Sequence, residues 1–216
     1  MIYPKMIILA IGGSHGDFLM NSCKIMQGEK IKKNITKVGQ SKFSSKFKIK
    51  TRLAFKKGKK HDLHHIEAND IELSHVWYDE FQTYPSKFFY IGFSKKILPV
   101  IMKMYLTKIC NNNLQKAVDN FKYYTTDRLS KKINTHNISK ILPIVWSNAQ
   151  KKYQHQKNIE KIEMTDLYDY YKFLKVLKKL DVYKKSNEKQ LKEYHTEWQQ
   201  KNYMYINEIK ALEKNI

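Results

Sequence analysis

Met6-Ile7-Ile8-Leu9-Ala10-Ile11-Gly12-Gly13-Ser14-His15-Gly16-Asp17-Phe18-Leu19 decides how the rest of the chain is read. The apolar run at its start is too short to cross a membrane and suits a strand buried on both faces. Three of the chain's seven glycines then fall within five positions. After them Phe18, Leu19, Cys23 and Met26 return at a spacing that suits one face of a helix over Asp17–Met26. Buried strand, glycine turn and helix together have the shape of a phosphate-binding loop. Free backbone N–H groups at the helix start face an anion there, and glycine lets it come close. The same shape is also an ordinary strand-to-helix turn of an α/β domain.

The 216 residues suffice for one sizeable core, and the 42% apolar and 13% aromatic content excludes a disordered polycation. The 15 tyrosines exceed ordinary core needs, which places many hydroxyls at the core's edge. The formal charge is +21, and most of it is local: Lys24 to Lys60 holds fourteen basic residues and one acid, Glu29. Such a field attracts polyanions, and the same lysines also serve plain solubility. Gly28, Gly39 and Gly58 punctuate this part, and Phe43, Phe47 and Ile49 alternate loosely enough for an edge hairpin within Ser41–Arg52. Aromatics among cations, as in Lys42-Phe43 and Lys46-Phe47-Lys48, suit contact with a single nucleic-acid strand, and they equally suit a flexible charged excursion over residues 28–69.

His61, His64, His65 and His75 bring no cysteine with them, so no metal site is expected. Cys23 and Cys110 match no metal or redox spacing and suit a reducing compartment. With neither a signal peptide nor a membrane span in view, the expected location is cytoplasmic.

Asp70–Trp77 alternates as a half-buried strand, and Lys87–Phe93 reads as a second strongly buried one. Ser94-Lys95-Lys96 follows it, ahead of a helix carrying Ile97, Ile101, Met104, Tyr105 and Ile109. A hydroxyl and two cations at such a place suit an anion, and Ser94 equally suits a helix cap. Pro99 conflicts with a helix that begins at Lys95, so its start is expected a few residues later. No glycine occurs beyond Gly92, and helices are predicted near Leu114–Tyr124, Ile138–His155, Leu167–Leu180 and Asn187–Lys214. Ile159–Met164 alternates as a short strand, with Thr165 or Asp166 capping the next helix and Leu167, Tyr170, Tyr171, Leu174 and Leu177 as its core stripe. In the last helix Leu191, Tyr194, Trp198, Tyr205, Ile209, Leu212 and Ile216 form a packing seam. The seam covers the domain or pairs with a second copy, which leaves a homodimer through 187–216 open.

Strands separated by helices predict one α/β domain over 1–216: a mainly parallel sheet sandwiched by helices, with a helical C-terminal half. Ligands of such sheets sit beyond the carboxyl ends of the strands, where the Gly12–Gly16 and Ser94–Lys96 turns would both lie.

Ile-Gly-Gly-Ser-His-Gly-Asp-Phe-Leu, the strand Phe-Phe-Tyr-Ile-Gly-Phe with Ser94-Lys95-Lys96, and the segment Ile162–Leu167 together resemble the P-loop sulfotransferase-like superfamily. Trp198-Gln199-Gln200-Lys201-Asn202 in the last helix is similar to short divergent members. The resemblance implies a nucleotide donor, 3′-phosphoadenosine-5′-phosphosulfate, and transfer of its sulfuryl group to a hydroxyl acceptor. It implies that Gly12, Gly13, Ser14, Gly16, Asp17 and Phe18 hold the 5′-phosphosulfate and that Ser94, Lys95 and Lys96 hold the 3′-phosphate. Against the family pattern, Ser14 stands at the place of a basic residue, His15 at that of a serine and Asp17 at that of a threonine. A carboxylate beside a sulfate repels it unless protonated or paired. His15 is the loop's one candidate general base near neutral pH, and it equally suits a local hydrogen-bond partner within the turn. A P-loop kinase is disfavoured because no Gly-Lys-Ser/Thr follows the glycines. The alternative class is a non-catalytic basic protein that binds nucleic acid or another polyanion through residues 24–60.

Overall fold

The computed structural model describes residues 5–28, 31–35, 41–43, 54–56, 59–61, 63–64, 71–74, 82, 84–124 and 132–214. Its strands are β1 (Met6–Leu9), β2 (Ile31–Ile35), β3 (Ser41–Phe43), β4 (Ala54–Lys56), β5 (Lys59–His61), β6 (Leu63–His64), β7 (Ile71–Ser74), β8 (Lys87–Gly92) and β9 (Ile159–Glu163). Its helices are α1 (Gly16–Met26), α2 (Leu98–Met104), α3 (Leu114–Tyr124), α4 (Ile138–Gln154), α5 (Tyr170–Lys179) and α6 (Glu188–Lys214).

The main sheet runs in the order β6-β7-β1-β8-β9. β1 is central and parallel to both β7 and β8, β8 is parallel to β9, and only β6 runs antiparallel. All four residues of β1 are buried, as an apolar run without alternation requires of a strand covered on both faces. Ile8 stands in register with Leu73 and Phe89, so these three share a face. α1 lies against that face, because its Gly16 abuts Ala10 and Leu73. Tyr90, one residue further along β8, points the other way and meets Tyr153 of α4 at 6.0 Å between ring centroids. Helices therefore cover both faces of a mainly parallel sheet.

Between α1 and β7 the chain forms two small antiparallel pairs, β2–β3 and β4–β5. Ser41–Phe43 pairs with Ile31–Ile35, and the rest of the hairpin expected within Ser41–Arg52 lies outside the described residues. Phe47 and Ile49 lie outside the described residues, as do His65 and His75. The helical half follows its expected bounds closely. Pro99 occupies the first turn of α2, where a missing N–H costs nothing, behind a single 3₁₀ turn at Lys95–Ile97.

The segment after β9 departs from expectation. Met164–Tyr168 is a 3₁₀ turn, and α5 starts only at Tyr170, capped by Asp169, whose Oδ1 accepts from the Lys172 N–H at 2.9 Å. Neither Thr165 nor Asp166 is the cap. Phe173, Val176 and Leu177 set the buried side of α5, and Tyr171, on the opposite side, is 76% exposed. In α6 Leu191, Tyr194, Trp198, Ile206 and Ile209 are buried against the chain's own α1, α2 and the 164–168 turn. The seam thus covers the domain.

Gly16 is required for close approach. A Cβ there would lie 2.6 Å from the Ala10 Cβ and 2.9 Å from Leu73 Cδ1. Gly16→Ala should therefore push α1 off the sheet and lower unfolding free energy by about 1 to 3 kcal/mol in a urea titration. An unchanged midpoint would mean that α1 does not pack there.

Candidate functional site

The turn that ends β1 is built from inside. The Ser14 N–H and hydroxyl both donate to the Ile11 carbonyl, at 3.1 and 2.7 Å, so Ser14 is turned inwards and buried. Gly13 has φ +83° and His15 φ +64°, two left-handed residues that bring the chain round into α1. The first helical bond is Leu19 N–H to the His15 carbonyl. Among the described residues the N–H groups of Gly16, Asp17 and Phe18 meet no acceptor, as at any helix start without a side-chain cap.

The outer side of the glycines is covered by α2 and the turn after it. A Cβ on Gly12 would sit 2.9 Å from the Tyr105 ring, and one on Gly13 would sit 3.0 Å from the Ile101 carbonyl. Tyr105 opens a π-helical turn, Tyr105–Ile109, a rare geometry that recurs at functional sites. That turn carries Tyr105 onto Gly12 and Lys108 onto α6. The Lys108 ammonium donates to the Lys201 carbonyl and to Asn202 Oδ1, both at 2.7 Å, and lies 4.9 Å from the centre of the Tyr205 ring. Burial lowers its pKa.

His15, 7% exposed, faces the 164–168 turn and α6. Its Nε2 is 3.2 Å from the Tyr168 hydroxyl, and its ring meets Trp198 edge-on at 4.8 Å. The tautomer decides which of the pair donates. Trp198 in turn stacks on Phe18, with centroids 3.8 Å apart and planes 15° from parallel. Its Nε1 is buried with no partner among the described residues. Burial first, and then the charge of Lys108, pushes His15 down to about 3, while burial raises Tyr168. So low a proton affinity leaves the imidazole unprotonated at neutral pH but a weak base.

Gly12, Gly13, Ser14, His15, Gly16, Asp17 and Phe18 thus form one continuous turn. Asp17 is half-buried in the first helical turn, where the helix dipole favours a carboxylate. Ser94, Lys95 and Lys96 follow the adjacent parallel strand and so lie at the same edge of the sheet. Ser94 does not cap with its side chain: its hydroxyl donates to Glu213 Oε1 at 2.6 Å. Lys95 and Lys96 are exposed. Gln150 of α4, with its amide turned to match, satisfies both backbone groups of Phe93 and fixes the exit of β8.

Sequence reasoning missed Tyr105, Lys108 and Tyr168 as neighbours of the loop. Their positions carried no local signal, since the His15–Tyr168 contact spans 153 residues. Among the described residues no group of three His, Cys, Asp or Glu could hold a metal, and the side chains of His61, His64, His65 and His75 lie outside them. Cys23 is buried, and burial pushes its thiol up to about 12. Comparison with family models, curated proteins and solved structures gives no match.

The His15 environment predicts the pH dependence of stability. A folded-state pKa below the unfolded value means that the unfolded chain binds the extra proton, so stability falls as pH drops below about 6.5 towards 3. His15 alone should cost about 2 kcal/mol between pH 7 and pH 5. His15→Asn tolerates the left-handed backbone and should flatten that slope in urea titrations at the two pH values. An equal slope in both proteins would place the titrating group elsewhere.

Proposed function

We propose that the chain is a sulfotransferase-like α/β protein that seats the sulfate- or phosphate-bearing end of a nucleotide on the first turn of α1. The finer reading is transfer of a sulfuryl group from 3′-phosphoadenosine-5′-phosphosulfate to a hydroxyl acceptor. One observation carries the reading: α1 begins at the carboxyl end of the central strand, and the N–H groups of Gly16 to Phe18 meet no acceptor among the described residues. β1 leads to β7 on one side while β8 lies on the other, the kind of switch point beside which α/β sheets bind ligands.

The residues present fit the two ends of such a donor unequally. Backbone donors at residues 16–18 suit a sulfate or phosphate, and Lys108, close enough to depress His15, adds positive charge. At the other end Ser94 is engaged by the Glu213 carboxylate, so only Lys95 and Lys96 remain for a 3′-phosphate. The fit therefore extends to the anionic end and not to the 3′-phosphate. An anion on the first turn would raise the proton affinity of His15, because opposite charge favours the imidazolium. His15 then acts as a hydrogen-bonding partner of the anion, positioned by Tyr168 and Trp198.

The second reading, a non-catalytic polyanion binder, gains support from the same histidine, since the loop lacks a strong base at neutral pH. It loses one of the cations assigned to residues 24–60, because Lys24 is buried. Calorimetry with 3′-phosphoadenosine-5′-phosphate should give a dissociation constant below about 1 mM. Asp17→Asn, which removes a like charge from the first turn, should tighten binding by roughly 3- to 10-fold. No heat at millimolar ligand would overturn the nucleotide reading. Binding without turnover of the phosphosulfate would leave anion recognition and remove transfer.

A further inference from the structure

A cationic surface lies far along the chain from the basic run at residues 24–60. Eight lysines and two acids occupy positions 172 to 192, and all eight lysines are exposed. Among the described residues only Lys179 of these eight is in an ion pair, with Glu160 at 3.1 Å. Against the two acids the eight lysines leave six positive charges in excess. The Glu188 carboxylate accepts the Tyr183 hydroxyl, and Asp181 stands in the exposed turn after α5.

A chain of contacts links Lys178 of α5 to Lys192 of α6. Lys178 of α5 lies 5.0 Å from the centre of the Tyr183 ring, and Tyr183 is bonded to Glu188. The Glu188 carbonyl accepts the Tyr170 hydroxyl at 3.3 Å, and Lys192 lies 5.9 Å from the centre of the Tyr170 ring. The start of α6 therefore sits beside the start of α5. Next to Tyr170, Tyr171 projects with 76% of its surface free, one helical turn from Lys175. A large aromatic left in water among uncompensated lysines is a stacking platform inside a phosphate-binding field.

We infer that the exposed face of α5 and the first turns of α6 bind single-stranded nucleic acid, with Tyr171 stacking on a base and the lysines contacting phosphates. A membrane surface does not suit this helix. Its apolar residues Phe173, Val176 and Leu177 are locked in the core and are not available to insert between lipids. Duplex nucleic acid satisfies the lysines but offers Tyr171 no open base. This inference is independent of the site at the start of α1.

Fluorescence anisotropy with a labelled oligothymidylate of about 20 nucleotides, over a salt series from about 50 mM, tests it. Lys172→Gln/Lys175→Gln/Lys178→Gln should reduce the salt slope by about 2 and weaken binding roughly 10- to 100-fold, since each single-strand phosphate contact contributes about 0.7 to the slope. Lys185→Gln/Lys189→Gln/Lys192→Gln should act in the same direction, and both variants should keep the wild-type circular dichroism because the altered side chains are exposed. Tyr171→Ala should weaken the single strand roughly 5- to 100-fold and leave duplex binding unchanged. The inference is overturned by absence of binding at about 50 mM salt. It is equally overturned if binding is lost only in Lys42→Gln/Lys46→Gln/Lys48→Gln, if Tyr171→Ala has no effect, or if heparin binds as tightly as the oligonucleotide.

Discussion

The stack of Trp198 on Phe18, edged by His15, ties the C-terminal helix to the first turn of α1, and the rest of the site depends on it. α1 is already pressed onto the sheet by Gly16, but its outer side would be open without α6. Trp198 closes that side with a nearly parallel ring contact, buried enough to contribute several kcal/mol as aromatic packing. Tyr194 and His195 extend the contact along Phe18, at 5.4 and 5.8 Å between centroids. Asn21 donates to the Tyr194 hydroxyl, and His195 Nε2 pairs with the Leu167 carbonyl. α1, α6 and the 164–168 turn are thus held to one another by rings whose polar atoms mostly find partners, and the Trp198 N–H is the exception.

This packing sets the chemistry that the turn can support. Closing α6 over His15 removes water from the imidazole and lowers its proton affinity, which makes it a weak base held by hydrogen bonding to Tyr168. On the proposed reading, anion affinity would come from the backbone donors of the first turn, with the Lys108 ammonium held at α6 by the π turn adding positive charge nearby. Ser94 shows the same helix acting at the neighbouring strand, where Glu213 takes its hydroxyl. One element therefore both completes the site at β1 and occupies a group at β8. The lysine face of α5 is a separate consequence of the same core: burying Phe173, Val176 and Leu177 leaves Tyr171 and the lysines outside.

Local patterns were legible wherever burial follows spacing. The apolar run at Met6, the glycines after it and the long glycine-free half gave β1, α1 and the C-terminal helices to within a few residues. Pro99 even located the delayed start of α2. The cap at Asp169 was missed because Thr165 and Asp166 offer the same chemistry earlier, and only the pairing of β9 with β8 decides where the strand ends. Tyr171, assigned to the core by its spacing, faces water because Phe173, Val176 and Leu177 set the buried side of α5. The site was legible only as a backbone shape. Tyr105, Lys108, Tyr168 and Glu213 reach it through contacts spanning about a hundred residues or more, which no window of sequence contains.

The start of α1 is proposed above as an anion seat closed by α6. Titration of ¹⁵N-labelled protein with 3′-phosphoadenosine-5′-phosphate, followed by amide and indole N–H shifts, tests it most directly. The largest shifts should fall on Gly16, Asp17 and Phe18, with the Trp198 indole N–H moving in step. Shifts confined to Lys95–Lys96 or to the α5 face, with residues 13–18 and the Trp198 indole unmoved, would contradict it.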